Sequence, residues 1–170
     1  PVSGAIFCNG EWFGPIYDFH KTDTAFFMQS TTQQLPYVMH DVERVLITDG
    51  ATGIGAAHAV SNGARQINVA EPNTAALDVY MLRSEGESNN VYSFPEVSLI
   101  PKHSRSYLIS DHTGYDLIVL PDVNAFGGDA GIKATSEQYL FTLQAFNDIW
   151  ERLNSNGMIS VTVWQDYPFR

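Results

Sequence analysis

Cysteine is almost missing from this chain. The 170 residues include one, Cys8, so no internal disulfide can form, and no His or Cys nearby gives it metal-ligand spacing. The five histidines (His20, His40, His58, His103 and His112) fall in separate segments, which argues against a metal site. Long apolar runs are missing too: none approaches the ~18–20 residues of a membrane-spanning helix. Basic residues are few and scattered, nine Lys and Arg against nineteen Asp and Glu, for a net charge of −10. A domain this acidic repels nucleic acid and anionic membrane, so neither is expected as a partner. No basic n-region opens the chain, so no signal peptide is expected and a cytoplasmic location is. Pro1 in place of Met points to a processed or excised piece of something larger. Repeats, low-complexity tracts and the G-x-S-x-G elbow of a hydrolase are all lacking.

What is present fits one globular domain. The chain is 44% hydrophobic and 12% aromatic, and long enough for one real core. Residues 1–42 read as a β-rich preface, with strand-like segments "GAIFC" (4–8), "GPIYDF" (14–19) and "AFFMQS" (25–30) and an Asn9-Gly10 turn. From residue 43 strands and helices alternate. "RVLIT" (44–48) is a continuous apolar run, as a strand buried on both faces requires. A helix from about Gly53 stops at Asn62-Gly63. "QINVA" (66–70) is a second strand, and Asn73 can cap the helix after it. "VSLIP" (97–101), "YDLIVL" (115–120) and "MISVTVW" (158–164) supply three more strands. A Gly-rich loop, "FGGDAG" (126–131), and one long helix (136–153) lie between the last two. The spacing of Tyr139, Leu143, Phe146, Trp150 and Leu153 predicts that this face docks on the sheet, with Thr135 and Gln138 as a capping box. Such alternation implies a mostly parallel α/β sheet flanked by helices.

The chemistry gathers at "TDGATGIG" (48–55), between the first strand and its helix. Glycines there let backbone approach a ligand, and Glu71, ending the next strand about twenty positions on, can accept hydrogen bonds from ribose hydroxyls. Two families share this grammar. The loop resembles the T-G-x-x-x-G-I-G fingerprint of short-chain dehydrogenases, with Asp49 for the first glycine. Their Y-x-x-x-K pair is matched only by Tyr17 and Lys21, upstream of the loop, and no N-N-A-G follows the fourth strand. This NAD(P)-dependent reading remains an alternative.

The second resemblance covers residues 44–170. "RVLITDGATG", "GARQINVAEPN", "YDLIVL" and "SEQYLFTLQAFNDIWERLNSNGMISVTVW" together resemble the spermidine synthase-like branch of the S-adenosylmethionine-dependent methyltransferase (Rossmann-like) superfamily. The resemblance implies S-adenosylmethionine or its decarboxylated form as cofactor. It implies that Asp49, Gly50 and Gly53 face the cofactor's methionine part, that Glu71 holds the ribose, and that His103 and Ser104 line the adenine pocket. "FFMQSTTQQLPY" (26–37) is similar to a substrate-gating stretch, with Gln29 and Tyr37 as the matching positions. "PDVNAF" (121–126) would sit where chemistry occurs. There Pro121 stands in place of the aminopropyltransferase base, which leaves Asp122 as the candidate catalytic carboxylate. The expected motif is approximately G-x-G-x-G, and Asp49 and Ala51 replace two of its glycines. The outcome is a transferase with a degenerate cofactor loop, or a non-catalytic Rossmann module for assembly or ligand sensing. The superfamily's sheet has two further edge strands, so a missing C-terminal edge, and a homodimer that covers it, are expected.

Overall fold

The computed structural model describes residues 2–8, 11–17, 27–84, 90–123 and 139–163. Side chains at the borders of these segments, Asp122 and Tyr139 among them, lie outside the description, as do the 126–131 loop and the Thr135–Gln138 pair. Two antiparallel strands, β1 (Val2–Cys8) and β2 (Glu11–Tyr17), form a hairpin. Five parallel strands form the main sheet in the order β5-β4-β3-β6-β7. They are β3 (Arg44–Thr48), β4 (Gln66–Ala70), β5 (Val97–Ile100), β6 (Tyr115–Val123) and β7 (Leu153–Val163). The order reverses between β3 and β6, which opens a crevice at the C-terminal ends of those strands.

Helices cover both faces, so each central strand is apolar on both sides. On one face Val45, Ile47, Ile67, Val69, Leu117 and Val119 pack with helices α2 (Ile54–Ser61) and α3 (Thr74–Ser84). On the other, Leu46, Ile118 and Leu120 pack with α4 (Ser104–Ser110) and α5 (Leu143–Glu151). Asn68 is polar within this second face. Its amide donates to the hydroxyls of Tyr107 and Tyr115 at 2.9 and 2.8 Å, and Tyr115 in turn donates to Asp111. That satisfied network ties α4 to the sheet.

Local signals act where expected. Gly63 has φ +80° and closes α2, and the Asn73 side chain accepts from the Ala76 N–H at 3.1 Å to cap α3.

Three expectations need correction. Residues 27–29 are helical, not strand, and lead through a 3₁₀ turn (Thr32–Gln34) into a short helix α1 (Leu35–Met39) with Pro36 in its first turn. Met28 is buried, Thr31 bonds His58, and Gln34 bonds Asn62, so this segment docks along α2. The long helix is broken at Thr142, whose extended backbone and side chain cap a new helix through the Ala145 N–H. The break resets the helical phase. Ala145 and Ile149 become the fully buried residues, while Leu143 and Trp150 are 74% and 72% exposed and Phe146 also faces out. Last, the strand already begins at Leu153, so Asn156-Gly157 lies inside β7 and is not a turn before it; the pairing with β6 skips there from Leu153 to Met158. Gly157 is required there, because a Cβ would lie 2.7 Å from the Tyr115 carbonyl oxygen.

Candidate functional site

The loop after β3 decides the site. Its backbone enters the left-handed region at Asp49 (φ +50°), Ala51 (φ +45°) and Gly53 (φ +86°). These are the alternate positions at which a G-x-G-x-G loop carries glycine. Two glycines are gone, and the conformation that needs them is kept. Asp tolerates this region, whereas Ala bears a cost of about 1–2 kcal/mol. Such strain persists only where surrounding contacts over-determine the backbone.

Those contacts are specific. The buried Glu71 carboxylate accepts from the Ala51 N–H through Oε2 and from the Asn73 N–H through Oε1, both at 2.8 Å. Ser104, at the start of α4, accepts from the Asp49 N–H at 3.1 Å and donates its own proton to Asp49 Oδ1 at 3.0 Å. The Tyr92 hydroxyl is shared between the carbonyl oxygens of Gly50 and Ala51, at 3.0 and 2.9 Å. Gly50 and Gly53 answer to packing: a Cβ on Gly50 would lie 2.0 Å from Val69 Cγ1, and one on Gly53 2.4 Å from Val91 Cγ1.

The structure therefore brings Asp49, Gly50, Gly53, Glu71 and Ser104 together at the C-terminal ends of β3, β4 and β5. His103 is exposed beside them, close enough to lower the Asp49 and Glu71 carboxyls by its charge. Burial is the larger effect and raises both carboxyls above the ordinary range. Water reaches Asp49 from the cleft side, yet protein packs closely enough around its carboxyl to keep it raised. Tyr92 and Asn90, which positions the Tyr92 N–H at 2.9 Å, were not legible as site residues, since no motif marks their segment.

A cleft of about 520 Å³ opens on the other side of the loop. Its floor is Asp49 to Thr52, with Pro121 at the end of β6 and Thr162 and Val163 at the end of β7. Phe13, Gly14 and Pro15 of the hairpin form one wall. The hairpin is set tightly on the loop, since a Cβ on Gly14 would lie 2.5 Å from Thr52 Oγ1. Phe27 and Thr31 to Gln33 form another wall, and Ile54 and His58, one turn apart on α2, a third. No Lys or Arg lines the cleft among the described residues. Gln29 is exposed and Tyr37 half-buried. Neither lines the cleft, although Phe27 and Thr31 to Gln33, which lie between and beside them in sequence, do. The Tyr37 hydroxyl is buried without a hydrogen bond among the described residues, and burial raises its pKa. Asp122 belongs to β6, where Leu120 to Val123 pair with Val161 to Val163, a one-residue bulge around Pro121 and Asp122.

Comparison with solved structures returns proteins of one architecture. A spermidine synthase in complex with the transition state analogue AdoDATO aligns over 81% of this chain at 12% identity with a TM-score of 0.56. The Thermotoga maritima spermidine synthase aligns over 81% at 13% identity and 0.58, and an Agrobacterium tumefaciens SAM-dependent methyltransferase over 82% at 16% and 0.57. The chain has the methyltransferase-type Rossmann-like fold. It spans 42%, 43% and 45% of the length of these three proteins. No protein-family model and no curated protein matches the sequence. Within the described residues of this fold, no helix is long and apolar enough to cross a membrane, and no cluster of His, Cys, Asp and Glu could hold a metal.

Proposed function

We propose that this methyltransferase-type domain binds an adenosyl sulfonium, S-adenosylmethionine or its decarboxylated form, over the Asp49–Gly53 loop. The observation that carries the reading is the left-handed backbone retained at Asp49 and Ala51 without glycine. Glu71, Ser104 and Tyr92 hold that strain in place, and strain of this kind clusters at ligand sites. The electrostatics select among nucleotide ligands. The N–H groups of Asp49, Gly50, Ala51 and Gly53 are all spent inside the protein, on Ser104, Ala70, Glu71 and Gly50. With no Lys or Arg on the cleft wall, a pyrophosphate finds neither N–H cradle nor cation, which disfavours NAD(P). A cationic sulfonium instead meets the Asp49 carboxylate favourably. Glu71 has one lone pair left on each oxygen for a ribose hydroxyl, though it stands behind the loop and does not line the cleft, whose volume suits a small ligand. When bound, the sulfonium supplies an electrophilic carbon for group transfer.

Transfer to an amine is a separate matter. Pro121 lines the cleft where the resemblance expects the aminopropyltransferase base, and proline has no titratable group. This favours a second reading, a ligand-sensing domain that keeps the fold without that chemistry. Asp122 is the candidate carboxylate if a transfer occurs. Calorimetric titration with S-adenosylmethionine, its decarboxylated form, methylthioadenosine and NAD tests the binding. Turnover assays with putrescine and the decarboxylated cofactor test the chemistry, and the expected outcome is adenosyl binding without spermidine formation. Turnover abolished by Asp122→Asn would overturn the second reading.

A further inference from the structure

Among the described residues, Asn-Gly pairs stand at Asn62-Gly63 and Asn156-Gly157, and the fold treats them oppositely. Glycine has no side chain to shield its backbone nitrogen, so that nitrogen can reach the side-chain Cγ of a preceding Asn. Asn62 is held away from that geometry. Its Nδ2 donates to Gln34 Oε1 and to the His58 carbonyl oxygen at 2.9 and 2.7 Å, and its Oδ1 accepts from Gln34 Nε2 at 2.6 Å. The Gly63 N–H donates to the Val60 carbonyl oxygen at 3.0 Å. Asn156 has no such restraint. It is exposed, and its side-chain amide makes no hydrogen bond among the described residues. Gly157 follows in the stretch that the β6–β7 register skips, between the Tyr115–Leu153 and Leu117–Met158 pairs.

We propose that Asn156 is a deamidation site of the folded protein and that Asn62 is not. The Gly157 nitrogen bonds to Asn156 Cγ while its proton passes through solvent to Nδ2. The Cγ–Nδ2 bond breaks and ammonia leaves. Water, the one co-reactant, then opens the cyclic imide. Opening at Cγ gives aspartate. Opening at the backbone carbonyl gives isoaspartate, whose main chain runs through the side chain and is one carbon longer. That longer chain is crowded here. A Cβ on Gly157 would already lie 2.7 Å from the Tyr115 carbonyl oxygen and 3.1 Å from the Asn154 nitrogen. Asn154 donates its side-chain amide to Asp116 Oδ1 at 2.6 Å, and Asp116 Oδ2 accepts the Glu43 and Arg44 N–H groups. Isoaspartate at 156 therefore loosens the end of the sheet where β3, β6 and β7 begin, opposite the cleft.

Incubation of the full chain at mildly alkaline pH, folded and in urea, tests the site, with peptide mapping that resolves aspartate from isoaspartate. In the folded chain Asn156 converts about a hundredfold faster than Asn62, the worth of two or three of the hydrogen bonds that Asn62 has to break. In urea the two convert at similar rates. Asn156→Ser abolishes the main product of the folded chain. Among the aged forms, the aspartate product unfolds at the urea concentration of the parent, as does Asn156→Asp, whereas the isoaspartate product unfolds at a lower one. Equal rates at Asn62 and Asn156 in the folded chain, or conversion of Asn156 only in urea, would overturn the site. An isoaspartate product as stable as the parent would overturn the crowding at Gly157.

Discussion

Ala51→Gly isolates the strain in the loop. Ala51 sits at φ +45°, where an L-residue with a Cβ costs about 1–2 kcal/mol and glycine costs nothing. Glycine also frees the unfolded chain, which returns about 0.4–1 kcal/mol of that gain. Ala51's contacts to Glu71 and Tyr92 use its backbone N–H and C=O, so they survive the substitution. The net expectation is stabilisation of about 0.5–1 kcal/mol, or a rise of about 1–4 °C in Tm for a chain of this size. Asp49→Gly relieves a similar backbone but loses the carboxylate that accepts from Ser104, worth about 1 kcal/mol, so it comes out near neutral or destabilising. Ala51→Val should destabilise by more than 1 kcal/mol, because a β-branched residue is a genuine outlier at positive φ. Urea and thermal denaturation of the three variants give the ranking. A neutral Ala51→Val, or an Ala51→Gly less stable than the parent, would refute the left-handed assignment and the argument built on it.

Acid stability reports on His58. Its folded pKa of about 4 lies below its ordinary 6.5, so between those values the unfolded chain binds a proton that the folded chain refuses. Stability from this group is full above pH 6.5 and falls as pH drops toward 4, by at most roughly 3 kcal/mol. Asp49 and Glu71, both raised by burial, act in the opposite sense at acid pH, so the measured quantity is the difference in denaturation midpoint between parent and His58→Gln across pH 4–7. A flat difference would contradict the buried neutral imidazole. On α5, Ile149→Ala should cost about 2–5 kcal/mol while Trp150→Ser changes stability by no more than about 0.5 kcal/mol, and the reverse order in chemical denaturation would restore the helix face expected from sequence. Solution scattering should find a homodimer if the outer edge of β7, unpaired among the described residues, is covered by a second copy. A monodisperse monomer would count against it.

The sheet was legible because its strands are short apolar runs bounded by turn residues. β3 and β4 coincide with "RVLIT" and "QINVA", and β5 and β6 begin where their runs begin. The errors arose where tertiary contacts override periodicity. "FFMQS" has the aromatic content of a strand, but from Phe27 it turns helical, which buries Met28 in the core and brings Thr31 to His58 on α2. In the last helix, the apolar spacing runs straight through Thr142, and its role as a cap rotates every later position. α4 went unrecognised, since "SRSYLIS" is short and opens without a side-chain cap. At the site, Asp49 and Ser104 follow from the family resemblance and Glu71 from its spacing to the loop, but nothing in the sequence marks the hydrogen bonds that join them. Spacing assigns Glu71 to a ribose, and the fold adds a second role, since each of its oxygens accepts a backbone N–H that fixes the loop and its exit. A carboxylate bonding across twenty residues has no local signature. The contact between His58 and Thr31, twenty-seven positions apart, is equally without one.

The account stands on the claim that a strained loop without its glycines still serves an adenosyl ligand. Isothermal titration of the 170-residue chain with methylthioadenosine, S-adenosylmethionine, its decarboxylated form and NAD tests it most directly. The account predicts saturable binding of the adenosyl compounds, tighter for the decarboxylated form because Asp49 repels a ligand carboxylate, and no binding of NAD. Binding of NAD alone, or of none of the four, would contradict it.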